Sequence, residues 1–231
     1  MAYDFDTIAR TYDRLNRVMT LGLDCNWRKR AVKEIRHTPP VLRTTSPNLG
    51  EEWAGARFLD VACGTGDMMV ELMKHGCTVT GIDLSEEMLA IARQKAPSAT
   101  LLVVDAESLP FADGEFDAVT CAFGVRNFVH LEAGLREMLR VLKPGGKLVI
   151  LELATPDSPL VKPFYRLYTR HVIPWLGSRL AGNREAYTYL PDSIERFPKG
   201  EAFTGILRGL GAEASQRKLT FGVCRLYTAT R

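Results

Sequence analysis

Between residues 57 and 153, short apolar runs alternate with amphipathic stretches. The runs at about 57–61, 78–83, 100–105, 116–121 and 146–152 are short and bounded by Gly, Asp or Pro, which predicts buried strands. Between them, apolar positions recur at helical spacing near 68–75, 85–95 and 131–142. Ser85 precedes the second of these as an N-cap, with Glu86 and Glu87 in the favourable first turn. Such alternation predicts an α/β fold with a parallel sheet covered on both faces. Residues 1–37 carry apolar and aromatic residues at helical spacing, and 38–56, TPPVLRTTSPNLGEEWAGA, read as a loop. Residues 157–208 read as helical and aromatic-rich, with Pro and Gly breaks. Two strands close the chain, at about 212–217 and 222–230. The short turn between them makes the last strand antiparallel. No internal repeat is present.

Candidate chemistry concentrates in residues 58–67, FLDVACGTGD. A strand ends in Asp60, a glycine turn follows, and a helix begins. A second strand, 78–83, TVTGID, ends in Asp83. A glycine turn sets backbone N–H groups and a helix start beside a ligand, and a second-strand acid reaches a ribose diol. A dinucleotide fingerprint requires a third glycine, and Met69 stands there. A P-loop requires Lys-Ser or Lys-Thr after its glycines, and neither is present. Asp67 would repel a pyrophosphate. A nucleoside ligand with positive groups and no phosphate fits better, and S-adenosylmethionine (SAM) is one. Asp60 can then accept from the methionine ammonium, Gly64, Thr65 and Gly66 let the loop approach, Asp83 takes the ribose diol, and Asp105 with the N–H of Ala106 meets the adenine edge. Asp67 itself reads as a helix cap.

Composition narrows the class. The chain has 231 residues, 46% hydrophobic and 25% charged, as in soluble globular proteins. Five scattered cysteines without a C-x-x-C argue for a reducing compartment and against a zinc site; no metal is expected. The N-terminus has no apolar run, so no signal peptide is read there. Net charge is +3, unevenly spread: residues 57–156 hold 9 basic and 14 acidic residues, the rest 21 and 13. An acidic core flanked by basic segments suits an anionic surface or substrate. No basic run interleaved with aromatics speaks for nucleic acid.

Four motifs in order resemble those of class I SAM-dependent methyltransferases: DVACGTGD with Ala62 where many members carry Gly, IDLS at 82–85, VVDAESLPF at 103–111 and RVLKPGGKLVILE at 140–152. The resemblance implies a Rossmann-like, seven-stranded, mostly parallel sheet with helices on both faces and an antiparallel last strand. The termini are similar to the menaquinone/ubiquinone-biosynthesis C-methyltransferases. Tyr12, Asp13, Asn16 and Trp27 match that signature, while Thr20 and Asp24 replace a Ser and a His; Ala122 and Ala154 stand where Ser is usual. FGVRN at 123–127, YTYLPDSIERFP at 187–198 and LTFGVCRLYTATR at 219–231 also match.

That likeness implies one methyltransferase domain over 1–231, with 1–56 an N-terminal helical cap and loop and 157–208 a helical insertion over the active site. It implies C-methylation of a reduced demethylated isoprenoid quinone, demethylmenaquinol first and a ubiquinone-precursor benzoquinol or another small phenol or lipid as alternatives. The place implied is the cytoplasm, peripheral at the inner face of the membrane. Catalytic candidates are Arg126, Asn127 and Tyr12. Arg126 admits two readings, a cation toward a quinolate or a salt bridge to a nearby carboxylate. Lys162, Arg166 and Arg170, four residues apart, would line one helix face toward a membrane, with Phe164, Tyr165, Leu167 and Tyr168 around them; a solvated stripe outside packed aromatics is the plainer reading. Among the histidines, His37 and His75 suit helix ends, His130 opens a helix, and His171 alone has a second reading toward substrate. A nicotinamide oxidoreductase and a non-catalytic SAM-binding module are the readings from other classes.

Overall fold

The computed structural model describes residue 6 and residues 9–36, 53–181 and 184–231. His37 and most of the 38–56 loop lie outside the described residues. Two helices open the chain, α1 (Ala9–Met19) and α2 (Leu23–Arg36). Then come β1 (Arg57–Val61), α3 (Asp67–Met73), β2 (Thr78–Asp83), α4 (Glu86–Lys95), β3 (Thr100–Val103), β4 (Phe116–Ala122), α5 (Leu131–Arg140) and β5 (Leu142–Leu153). The helical segment holds α6 (Val161–Leu167), a π-helical stretch Tyr168–Val172, α7 (Ile173–Ala181) and α8 (Arg184–Arg196). The chain closes with α9 (Glu201–Gly209), β6 (Glu213–Leu219) and β7 (Cys224–Thr230).

One seven-stranded sheet runs β3-β2-β1-β4-β5-β7-β6. β1 pairs in parallel with β2 and β4, and β4 with β5, while β7 pairs antiparallel with β5 and β6. Because both faces are covered, the central strands bury residues of both parities. Phe58, Ala118, Val149 and Leu226 face α2 and α3, where Trp27, Ile35, Met69 and Leu72 meet them. Leu59, Val119, Ile150 and Tyr227 face the opposite layer of α5 and α9, where Leu135, Met138, Phe203 and Leu207 lie. Each fully buried side chain of this size contributes about 1.5–3 kcal/mol.

Several boundaries differ from the sequence pattern. β3 stops at Val103, so Asp105 stands in the loop beyond it. The expected helix 131–142 ends at Arg140, and the strand expected from 146 begins at Leu142. Leu142 already pairs with Phe116, and an irregularity separates that pair from Ala118–Lys147. Gly145, at φ 77°, supplies the left-handed residue that this kink uses. α9 packs on the sheet itself, with Phe203 against Tyr227 at 4.6 Å, rather than with the helices that precede it.

The strand order reverses at β1, with β2 on one side and β4 on the other. Ligands of open α/β sheets bind outside the carboxyl ends of the strands at such a switch point. Asp60, Asp83, the loop holding Asp105, and the turn after β4 all fall on that edge.

Candidate active site

A cavity of about 240 Å³ opens on this edge. Gly64, Asp83, Asp105 and Ala106 line one side, and Tyr12 and Asn127 line it from the N-terminal helix and the β4 turn. Those six of the ten expected site residues are brought together. Asp60, Thr65, Gly66 and Arg126 stand behind the wall.

Asp83 is held by backbone. Its Oδ2 accepts from Gly64 N at 2.8 Å and its Oδ1 from Ser85 N at 3.0 Å. Burial raises its pKa, and those two N–H groups oppose the rise. A carboxylate has about four lone-pair sites, so acceptor capacity beyond these two bonds is left for ligand hydroxyls. Gly64 reaches this bond with φ 55°. Ala62, at φ 51°, holds the same left-handed conformation with a Cβ, and Phe123 does so at φ 65°. Bulky residues rarely adopt it, and such strain clusters at functional sites. Gly124 fits between them, since a Cβ there would sit 2.6 Å from that of Ala62. Asp105 Oδ1 accepts from Glu107 N at 2.9 Å, which fixes the turn presenting Ala106.

Asp60 is 1% exposed. Thr120 Oγ1 donates to its Oδ1 at 2.6 Å, while Oδ2 is buried with no hydrogen-bond partner among the described residues. Burial pushes its pKa up to about 7. An orphaned buried acceptor beside a glycine loop fits a ligand ammonium, which would relieve its desolvation. With the spare lone pairs of Asp83, the residues present fit SAM.

The rest of the glycine loop is tied elsewhere. Thr65 Oγ1 donates to Asp13 Oδ1 at 2.5 Å and accepts from Lys95 Nζ at 3.1 Å. Gly66, at φ 85°, is the N-cap of α3, and a Cβ there would lie 3.2 Å from that of Ala92. Its glycine character serves packing against α4. Asp67 is not a side-chain cap: its carboxylate pairs with Arg17 at 2.9 Å and Lys95 at 2.8 Å. Burial would raise this acid, but Lys95, Arg28 and Arg17 hold it below the usual carboxylate range. Asp24 joins the same network, bonded to Arg28 at 2.6 Å, to Thr20 at 2.8 Å and to Arg17. The two departures Thr20 and Asp24 thus form one bonded pair within a charge cluster that clamps α1 and α2 onto α3.

Behind the opposite wall, the Arg126 guanidinium is 6% exposed and bonds Glu152, which is fully buried, at 2.7 Å. The backbone N of Arg126 also donates to Glu152, at 3.3 Å, and Nη1 donates to Phe123 O. The salt-bridge reading of Arg126 is therefore what the geometry displays. Nε has no partner among the described residues. Burial raises the Tyr12 phenol, against the pull of Arg126. Asn127 Oδ1 accepts from Tyr189 O–H at 3.2 Å, which brings α8 over the turn. Tyr165, also raised by burial and also pulled down by Arg126, lies nearby on α6. Sequence reasoning missed Glu152 as a site group; its signal was a lone acid ending the buried run LVILE.

Other expectations scatter. Arg166 and Arg170 lean on Glu195 of α8, at 3.4 and 3.0 Å. Tyr168 O–H donates to Met19 O at 3.0 Å, while Phe164 and Leu167 face outward. His130 precedes α5 and bonds Glu107 at 2.7 Å, His75 packs on Trp53, and His171 is exposed.

Comparison with known proteins gives the fold and the family. A SAM-dependent methyltransferase of Thermotoga maritima superposes with a TM-score of 0.64 at 19% identity, covering 98% of this chain and 97% of its own. The fold is that of SAM-dependent methyltransferases. The chain belongs to the ubiE/COQ5 methyltransferase family, whose model matches residues 2–231, and the protein is a SAM-dependent C-methyltransferase. It is 42% identical over 234 residues to the demethylmenaquinone methyltransferase of Deinococcus radiodurans, covering 98% of this chain and 90% of that one. It is 41% identical over 237 residues to the ubiquinone/menaquinone biosynthesis C-methyltransferase UbiE of Geotalea daltonii, covering 98% and 94%.

Proposed function

We propose that this protein methylates a ring carbon of a reduced, demethylated isoprenoid quinone, with demethylmenaquinol as its substrate. The observation that carries the reading is the cavity at the switch point, with strand-end acids on one side and Tyr12 and Asn127 before a buried Arg126 on the other. The full-length likeness to demethylmenaquinone methyltransferases supports the substrate. The relative named for both quinones keeps a ubiquinone-precursor benzoquinol as the second reading.

SAM supplies an electrophilic methyl group already activated on sulfur, so alignment carries much of the rate. Asp83 would hold the ribose diol, Asp105 with Ala106 N–H the adenine edge, and Asp60, from behind the wall, the ammonium. Tyr12 covers the cavity from α1. A quinol ring carbon becomes nucleophilic when a neighbouring hydroxyl ionises. Arg126 does not take that proton, because its guanidinium stays charged. The proton passes to solvent water at the open mouth, the sulfur leaves as the neutral thioether S-adenosylhomocysteine, and the ring carbon loses its own proton as the oxygen is reprotonated. Arg126 lowers the hydroxyl's pKa as a nearby cation, with Glu152 holding its orientation. Asn127, fixed by Tyr189, orients the ring. The helices from α6 to α8 would close the site, and the tail's insolubility supports a peripheral position at the membrane for a cytoplasmic enzyme.

A methyl-transfer assay with reduced demethylmenaquinol, the reduced benzoquinol and the oxidised quinones tests this. Methylation of the reduced naphthoquinol above all others is expected. Equal turnover of an oxidised quinone would overturn the ionised-quinol step.

A further inference from the structure

On the helical segment Arg166 and Arg170, each with a side chain about half exposed, share Glu195, and apolar residues stand out beside them: Leu160, Phe164, Leu167 and Trp175 are 80, 76, 60 and 58% exposed. Two further bulky residues stand out at turns. Leu21, between α1 and α2, is 83% exposed at φ 52°, and Phe221, between β6 and β7, is 81% exposed at φ 57°. Each residue loses twice, by exposing apolar surface and by holding a left-handed backbone that its side chain disfavours. Neither loss is offset within the described fold.

These three places lie around one rim. Tyr168, beside Leu167, bonds Met19, two residues from Leu21. Trp27 of α2 donates to Thr220, next to Phe221, at 2.8 Å. The β6–β7 turn stands at the carboxyl end of β5, because Cys224 pairs with Leu153. That is the edge on which the cavity opens. Residues 158–184 carry Lys162, Arg166, Arg170, Arg179 and Arg184 and no acid.

We propose that Leu21, the outward face of 160–175 and Phe221 form a three-point apolar foot that enters the headgroup–acyl boundary of an anionic bilayer and holds the cavity mouth against it. The proposal rests on the quinol reading for its purpose, because an isoprenoid tail must pass from lipid to site without crossing water. Separate protrusions from three elements suit a fluid phase that closes around each, and the five cations of residues 158–184, two of them sharing Glu195, complement anionic headgroups.

Co-sedimentation with vesicles of mixed zwitterionic and anionic phospholipid tests the foot, using Leu21→Asn, Phe164→Asn and Phe221→Asn together. Asn tolerates the left-handed backbone, so a purely structural change at the two turns leaves the melting temperature unchanged or raised. Vesicle affinity is expected to fall by about tenfold or more. KM for vesicle-borne quinol should rise, while kcat/KM for a tail-less quinol stays as in the wild type. Unchanged vesicle binding in the triple variant overturns the foot, as does a wild type that ignores vesicles and self-associates through this face. Vesicle binding that is lost on substitution, in a protein that methylates no quinol, keeps the foot and removes the substrate reading.

Discussion

The two walls of the cavity solve electrostatics in opposite ways. On the β1–β3 side, acids are desolvated and left with spare acceptor capacity: among the described residues, one Asp60 oxygen has no hydrogen-bond partner, and Asp83 is held by backbone N–H groups. On the β4–β5 side, the Arg126 guanidinium is paired with Glu152 before any ligand arrives, and its Nε has no partner among the described residues. The first wall has acceptors free to meet donors, as the SAM-holding role proposed for it requires. The second is a preformed cation whose cost of burial is met inside the fold. Ligand binding should therefore change protonation on the first wall and leave the second as it is.

The largest expected effect is on the second wall. Breaking a buried pair leaves an uncompensated charge and costs about 3–5 kcal/mol. Arg126→Leu should lose this much in urea unfolding, and adding Glu152→Leu should return most of it. A loss of under about 1 kcal/mol in the single variant would mean the pair is solvated and the contrast is false. Turnover in Arg126→Leu alone is thus a poor probe of chemistry, because the fold pays as well.

Next comes the first wall. Asp83→Ala should weaken SAM and S-adenosylhomocysteine by about 1.5–3 kcal/mol in calorimetric titration, since a charged acceptor of two hydroxyls is lost. Unaltered affinity would remove the ribose role from Asp83.

Asp60 separates the walls by pH. Its folded pKa of about 7 lies above the ordinary 3.8. The folded chain keeps this proton where the unfolded chain has released it, so the contribution to stability is full below the unfolded value and is lost as pH rises through about 7. Asp60→Asn should flatten that part of the stability profile. In the wild type, SAM affinity should rise relative to Asp60→Asn across the same window, as the carboxylate ionises to meet the ammonium. Parallel profiles in the two proteins would count against both statements.

The smallest effect belongs to the clamp. Lys95, 26% exposed, bridges Asp13 and Asp67 at 2.5 and 2.8 Å. Lys95→Ala should cost about 0.2–1 kcal/mol and less at high salt. A much larger loss would make the clamp a structural centre rather than a tether.

The first wall was legible in the sequence because its parts are local. A strand-end acid, a glycine turn and a second strand-end acid lie in one βαβ unit, and periodicity sets their edge. The sheet followed for the same reason, down to β1 and β2. The second wall was not legible as a pair: Arg126 and Glu152 are 26 positions apart, and nothing in FGVRN or LVILE names the other. Asp67 went astray likewise. A first-turn Asp reads as a cap until Arg17 and Lys95 arrive from helices far away in sequence. Thr65 and Gly66 kept their place in the motif but serve the clamp and the α4 contact. On the 160–175 helix, spacing gave the repeat of the cations, while the π-helical stretch and Glu195 decided which residues face out.

The most direct measurement compares the double variant Arg126→Gln, Glu152→Gln with the wild type, because the amide pair removes the cation without leaving an unpaired buried charge. SAM affinity by titration and single-turnover methylation of the reduced quinol at saturating SAM are measured on the same folded preparations. The account predicts SAM affinity within about twofold of wild type and turnover lower by about tenfold or more. Equal loss of both, or full turnover with the neutral pair, would contradict the division of labour between the two walls.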